Sequence, residues 1–282
     1  MDLATLSRNS SLTPQTLTTA PYALQALLPV EGHYPRMRVY IEGDGHAWAS
    51  RSQPSTDPTP LQSPMINLAL LDAHPVAYLA RPCQFVIDVH CSVEAWTAGR
   101  FGTAVLKAMN AGLDEIKRRY TVGRFELVGY SGGAAIALVL AATRQDVEQV
   151  QTLAGNVDPQ FWTDLQGLEP LESPLLPLSW REPLSAIPQR HFVGLEDRVV
   201  PPAVVQSYVS KLKGRCVEVV TSNDSHSTGF EGGWTRYADL PIPCDLWNSG
   251  EPLKTTPAAS TDTHHPAFRE SPVRDGTPAL PK

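Results

Sequence analysis

The sequence predicts an α/β fold, a mostly parallel central sheet with helices on both faces. Three observations point there. Between residues 21 and 248, short apolar runs that read as strands alternate with helix-patterned segments, the signature of a sheet built from strand–helix–strand units. One glycine-rich turn, at 129–133, joins such a strand directly to an apolar helix. The chain also has the means to build a core: 282 residues, 42% of them hydrophobic and only 18% charged.

The elements follow in order. Residues 38–41 (RVYI) form a strand that runs into the turn Glu42-Gly43-Asp44-Gly45. A short helix is expected within 65–71, and 76–80 (VAYLA) is a second strand. Residues 101–120 have helical spacing, with Val105, Met109, Leu113 and Ile116 on one stripe and acidic residues ahead of Lys117 to Arg119. The strand 125–128 then leads into the apolar helix 134–142. Strands are expected at 150–153, 190–193 and 216–220, and a helix at 201–212 that starts on proline, where a missing N–H costs nothing.

The body therefore spans 21–249, preceded by an arm at 1–20. The stretch 158–189, with six prolines, reads as a modest lid insertion; Trp162, Trp180, Leu175 and Leu176 are candidates to line it, with apolar core packing the stronger reading for any one of them. Residues 250–282 hold six prolines and no apolar period, so they read as a disordered tail. The adjacent His264 and His265 in that tail lack neighbouring carboxylates or thiols and read as solvated, so no metal is expected. A net charge of −6 argues against a nucleic-acid partner. The longest apolar run, 134–142, is too short to span a bilayer. The first residues carry no signal peptide, which points to the cytoplasm or to a chain that starts after its signal. Cys83 and Cys91 are spaced to close a small disulfide, and free thiols at all four cysteines are the other reading. Cys91 follows no strand-to-helix turn, which removes it as a nucleophile.

The chemistry centres on Gly129-Tyr130-Ser131-Gly132-Gly133. A serine lifted out of a sheet on a strained turn needs glycines two residues either side, so that strand and helix can approach without Cβ clashes. Its hydroxyl is too weak an acid to attack unaided, so a carboxylate and then a histidine are required downstream. Asp197, in Gly194-Leu195-Glu196-Asp197-Arg198-Val199-Val200-Pro201, and His226, after the strand 216–220, supply them in that order. Asp158, after the strand 150–153, is a second carboxylate in the required order. Glu196 reads as solvated, and His46 and His90 as residues near the site.

Strand–GYSGG–helix, then G-x-x-D-x-x-V-P, then a late histidine resembles the α/β-hydrolase superfamily over roughly residues 21–247. The stretches VYIEGDGHAWASRSQPSTDPTP and YLARPC are similar to a narrower group of uncharacterised bacterial α/β-hydrolases, often exported or lipoproteins. That likeness, with a Cys83–Cys91 bridge, favours an exported or periplasmic protein. It implies the α/β-hydrolase fold, Ser131 as nucleophile, Asp197 as triad acid and His226 as general base, with no cofactor. The backbone N–H groups of Gly132 and Asp44 are the expected oxyanion donors. Here Glu42-Gly43-Asp44-Gly45 departs from the superfamily's common His-Gly pair. Its two carboxylates would repel an oxyanion unless they turn away or meet a cation such as Arg51 or Arg81, or they serve only to shape the turn.

The expected activity is cleavage of a small-molecule carboxylic ester or thioester with a small or medium acyl group. The same triad would also serve an amidase, lactonase, peptidase or acyltransferase, and an idle fold used as a binding module is the reading from another class.

Overall fold

The computed structural model describes residues 1–50, 52–228 and 230–244, with the backbone of 256–257. In chain order the elements are α1 (Leu3–Leu6), β1 (Leu12–Leu17), β2 (Leu24–Pro29), β3 (Arg36–Ile41), α2 (Pro64–Leu71), β4 (Val76–Leu79), α3 (Val93–Trp96) and α4 (Thr103–Tyr120). There follow β5 (Arg124–Tyr130), α5 (Gly132–Thr143), β6 (Val147–Leu153), α6 (Pro159–Gln166), a 3-10 turn (Pro177–Trp180) and α7 (Arg181–Ala186). The chain continues through β7 (Gln189–Gly194), α8 (Pro202–Leu212), β8 (Val217–Ser222), α9 (Phe230–Tyr237) and β9 (Thr256–Pro257).

The strands form one sheet in the order β1-β2-β4-β3-β5-β6-β7-β8-β9. From β4 to β9 every neighbouring pair is parallel, and β2 is antiparallel to both β1 and β4. Burial on both faces follows the period of two along each strand. Val39, Ile41 and Leu127 pack in one apolar cluster with side chains of α4, α5 and α8. Tyr40, Tyr78 and Val128 point the other way, into a cluster with side chains of α2 and α9. Helix α5 is apolar all round and almost wholly buried, as a helix under the middle of a sheet must be.

Each expected strand and helix is present, most of them a residue or more longer. The antiparallel pair at the edge was not expected. Leu12 and Leu17 are buried at the two ends of β1, but Thr13-Pro14-Gln15-Thr16 between them hides any period. The run in β2 ends on proline and is too short to tell strand from helix. Residues 1–20, read as an arm, thus supply α1 and the edge strand β1. The stretch 158–189 folds as α6, the 3-10 turn and α7. The tail at 250–282, with His264 and His265, lies outside the described residues except for 256–257, whose backbone pairs with β8. No described helix is long and apolar enough to cross a membrane. Cys83 is bridged to Cys91 and Cys216 to Cys244, so none of the four cysteines is a free thiol.

Close backbone approach sets where α5 can sit. A Cβ at Gly129 would lie 2.5 Å from the Ala134 Cα, and one at Gly133 would lie 2.3 Å from the Glu42 carbonyl oxygen. Both obstacles are main chain and cannot swing aside. Gly129→Ala should therefore cost about 1–3 kcal/mol. On the exposed side of α9, a Cβ at Gly232 meets nothing within 4 Å, so Gly232→Ala should gain about 0.5–1 kcal/mol. Urea unfolding of both variants reads the two signs in one experiment.

Candidate active site

Ser131 occupies the turn between β5 and α5 with φ 49° and ψ −122°. This is the left-handed half of conformational space, costly for a residue with a Cβ, and it is held by the surrounding main chain. The Ser131 N–H donates to the Leu153 carbonyl (3.1 Å), and its own carbonyl accepts from Ala134 N (3.1 Å) and Asn156 N (2.8 Å). Parallel pairing of β5 with β6 brings Leu153 and Asn156 alongside.

The two other members of the constellation come from later loops at the same edge. Asp197 follows β7 and is 3% exposed. One carboxylate oxygen accepts from the N–H groups of Val199 and Val200, both at 2.8 Å, which leaves the other for His226. His226 Nδ1 lies 2.8 Å from that second oxygen, and its Nε2 lies 3.1 Å from Ser131 Oγ. The imidazole is steadied from its own neighbourhood too. Tyr130 donates its hydroxyl to the His226 carbonyl (3.0 Å), and the two rings lie 5.3 Å apart. A carboxylate fixed by two amides orients a ring that reaches a serine, an arrangement that can take a proton from Oγ.

The turn after β3 lies against this serine. A Cβ at Gly43 would come 3.2 Å from the Ser131 Cβ, and one at Gly132 would come 2.3 Å from an Asp44 carboxylate oxygen. Gly43 N–H is taken by the Glu42 carboxylate (2.9 Å), whereas Asp44 N–H meets no acceptor among the described residues. Neither acid of this turn is left bare. The Asp44 carboxylate is hydrogen-bonded by Arg81, with Arg100 Nε 3.5 Å from its other oxygen. Arg51 lies outside the described residues. Glu42 is buried and accepts from Ser63 and from Tyr78 (2.8 Å). Burial pushes its carboxyl above the ordinary value, opposed by the hydrogen bonds from Ser63, Gly43 and Tyr78. Gln84, also buried, ties the turn down by donating to the Gly43 carbonyl (3.0 Å).

Several expectations sort out by place. Asp158 is buried but caps α6 and binds Ser207 and Lys211, both at 2.7 Å, so it is committed away from His226. Glu196 is exposed. His46 lines the site cavity, but His90, expected near the site, is exposed within the disulfide loop and does not. Trp162 faces the cavity. Trp180 and Leu175 instead pack against the core, and Leu176 lines a separate surface pocket. The cavity measures about 580 Å³, with Ser131, His226, Asp44 and Arg100 in its walls. Arg100, Asn156 and Gln84 carried no signal in the sequence, because each sits alone in an irregular segment.

No protein-family model matches the sequence, and no curated protein matches it at a significant level. Solved structures do match. An esterase from Pyrococcus furiosus superposes with a TM-score of 0.60 over 84% of this chain and 91% of that one, at 14% identity. A cold-adapted esterase from an Arctic intertidal metagenomic library gives 0.56 over 81% and 91%, at 17% identity. An acylaminoacyl peptidase from Pyrococcus horikoshii gives 0.55 over 82% of this chain and 40% of that one, at 12% identity. The chain has the α/β-hydrolase fold.

The buried Glu42 has a consequence for stability. Its folded-state pKa is raised, so the native state holds this proton more tightly than the unfolded chain does. Its contribution is therefore full below the ordinary value of 4.5 and shrinks as pH rises beyond it. The stability of the wild type relative to Glu42→Gln should fall between pH 4 and 7, read by urea unfolding across that range. A constant difference would show that Glu42 ionises as freely in the fold as outside it.

Proposed function

We propose that the chain is a serine hydrolase that cleaves a carboxylic ester or thioester of a small or medium acyl group through an acyl-serine intermediate. The observation that carries this is the bridging imidazole, within hydrogen-bond reach of Ser131 Oγ on one side and of a fully engaged carboxylate on the other. The cavity of about 580 Å³ that opens onto Ser131 suits a substrate of that size.

In this reading His226 Nε2 takes the Ser131 proton as Oγ bonds to the substrate carbonyl carbon. Asp197 holds the ring with its proton on Nδ1 and stabilises the imidazolium. The carbonyl electrons move to oxygen, where the amides of Gly132 and Asp44 receive the charge at the start of α5. Collapse breaks the bond to the leaving group, which collects the proton from His226. Water then repeats the sequence on the acyl-serine and releases the acid. The paired state of Asp44 supports its amide as a donor, because the adjacent carboxylate is faced by Arg81 and Arg100. Amide cleavage is the second reading, favoured by the likeness to an acylaminoacyl peptidase. It uses the same groups, with the His226 proton passing to a leaving amine.

The test is intact mass after treatment with a fluorophosphonate. A single adduct on Ser131 is expected, absent in Ser131→Ala and lost in His226→Ala. Asp197→Asn should lower ester turnover by about 10⁴. Asp158→Asn should stay within a few-fold of wild type, and the opposite ranking would move the acid to Asp158. A panel pairing each ester with its amide separates the two readings. Folded protein that takes no adduct would turn the search to binding partners.

A further inference from the structure

Resting on the hydrolase reading, we infer that the substrate carries a carboxylate, or an equivalent single negative charge, held by Arg100 in the cavity that contains Ser131. Arg100 lies just before α4, and its side chain is only 9% exposed. A buried guanidinium stays charged and brings five N–H donors that want acceptors. Among the described residues it makes one hydrogen bond, from Nη1 to the Thr97 carbonyl at 2.7 Å. Its Nε is buried with no hydrogen-bond partner, 3.5 Å from Asp44 Oδ2. A group so poorly satisfied in a cavity wall is costly unless something else uses its donors.

The surrounding charges leave a surplus. The single charge of Asp44 is already hydrogen-bonded by Arg81, so two guanidinium groups share one carboxylate. The other acid of the cavity, Glu42, is engaged by Ser63, Tyr78 and Gly43, and burial pushes it toward its neutral form. His46 and His226 also line the cavity and add no negative charge. The shape fits as well. The Arg100 Cζ lies 5.0 Å from the Phe101 ring centroid and 5.6 Å from that of Trp162. Rings against the guanidinium leave the N–H edges for a planar acceptor, the geometry in which arginine grips a carboxylate with two hydrogen bonds.

Binding without turnover is measured first, by calorimetry on Ser131→Ala protein with monomethyl glutarate and neutral dimethyl glutarate. The monoanion should bind about tenfold or more tighter, a preference lost in Ser131→Ala/Arg100→Gln. Arg100→Lys, which keeps the cation but not the fork, should fall between, and it becomes the variant read if the glutamine protein does not fold. A role confined to holding Asp44 would weaken both ligands alike.

Turnover then locates the charge. Mono-4-nitrophenyl glutarate against 4-nitrophenyl valerate reports the acyl side, and 4-carboxyphenyl butyrate against phenyl butyrate the alcohol side. One pair should show a KM preference for the anion that disappears in Arg100→Gln and narrows in Arg100→Lys. Equal binding of charged and neutral ligands by Ser131→Ala, where the wild type takes the fluorophosphonate adduct, would overturn the inference and leave the hydrolase reading intact. Tighter anion binding by Ser131→Ala, where the wild type takes no adduct, would do the reverse.

Discussion

Everything at the site depends on three stretches of main chain lying in contact where no side chain intervenes. The end of β5, the start of α5 and the turn after β3 meet at Gly129, Gly133 and Gly43. A methyl group at any of these would collide with backbone or with the serine turn itself. Because these positions are bare, Ser131 is held in its left-handed conformation, its amide and carbonyl both occupied, with its Oγ facing the cavity. The turn that carries Asp44 is pressed against the first residue of α5 by the same absence. The arrangement is thus a by-product of how closely a helix can approach a sheet, with Ser131 placed at the point of closest approach.

The acids beside that point are handled in two physically different ways. Glu42 is sunk into the fold, and burial disfavours its charge even though Ser63, Gly43 and Tyr78 donate to its carboxylate. Asp44 stands in the cavity wall and is met by cations from the segments after β4 and before α4. In the proposed reaction, removing a charge and pairing a charge would both protect a developing negative oxygen from repulsion. The two solutions leave different remainders. The first leaves nothing, and the second leaves more positive charge than the pair consumes.

How much of this was legible depended on whether a residue belonged to a period or a short motif. The parallel strands and the large helices were readable because their apolar residues recur at two or three to four positions, as in α4 with Val105, Met109 and Leu113. Ser131, Asp197 and His226 could be singled out by their order and their place after strands, and the structure brings the three within hydrogen-bond reach. The edge pair β1 and β2 was not, since polar residues fill the middle of one and proline ends the other. Arg100 and Gln84 were equally silent. Their meaning comes from what lies across space from them, Asp44 in one case and the Gly43 carbonyl in the other, and no local spacing encodes that. His90 was misplaced for the same reason: nearness in sequence to the β4 end did not survive the turn of the disulfide loop.

The chain has four cysteines, and all four are spent in pairs. The folded protein therefore offers no thiol to an electrophile, and a hydroxyl-directed reagent meets none of the competition that cysteines usually supply. The same silence makes the surface addressable. A single cysteine written into an exposed position such as Leu168, on the stretch between α6 and the 3-10 turn, would be the only reactive sulfur in the oxidised molecule. A fluorophore placed there would report on that stretch without a background to subtract.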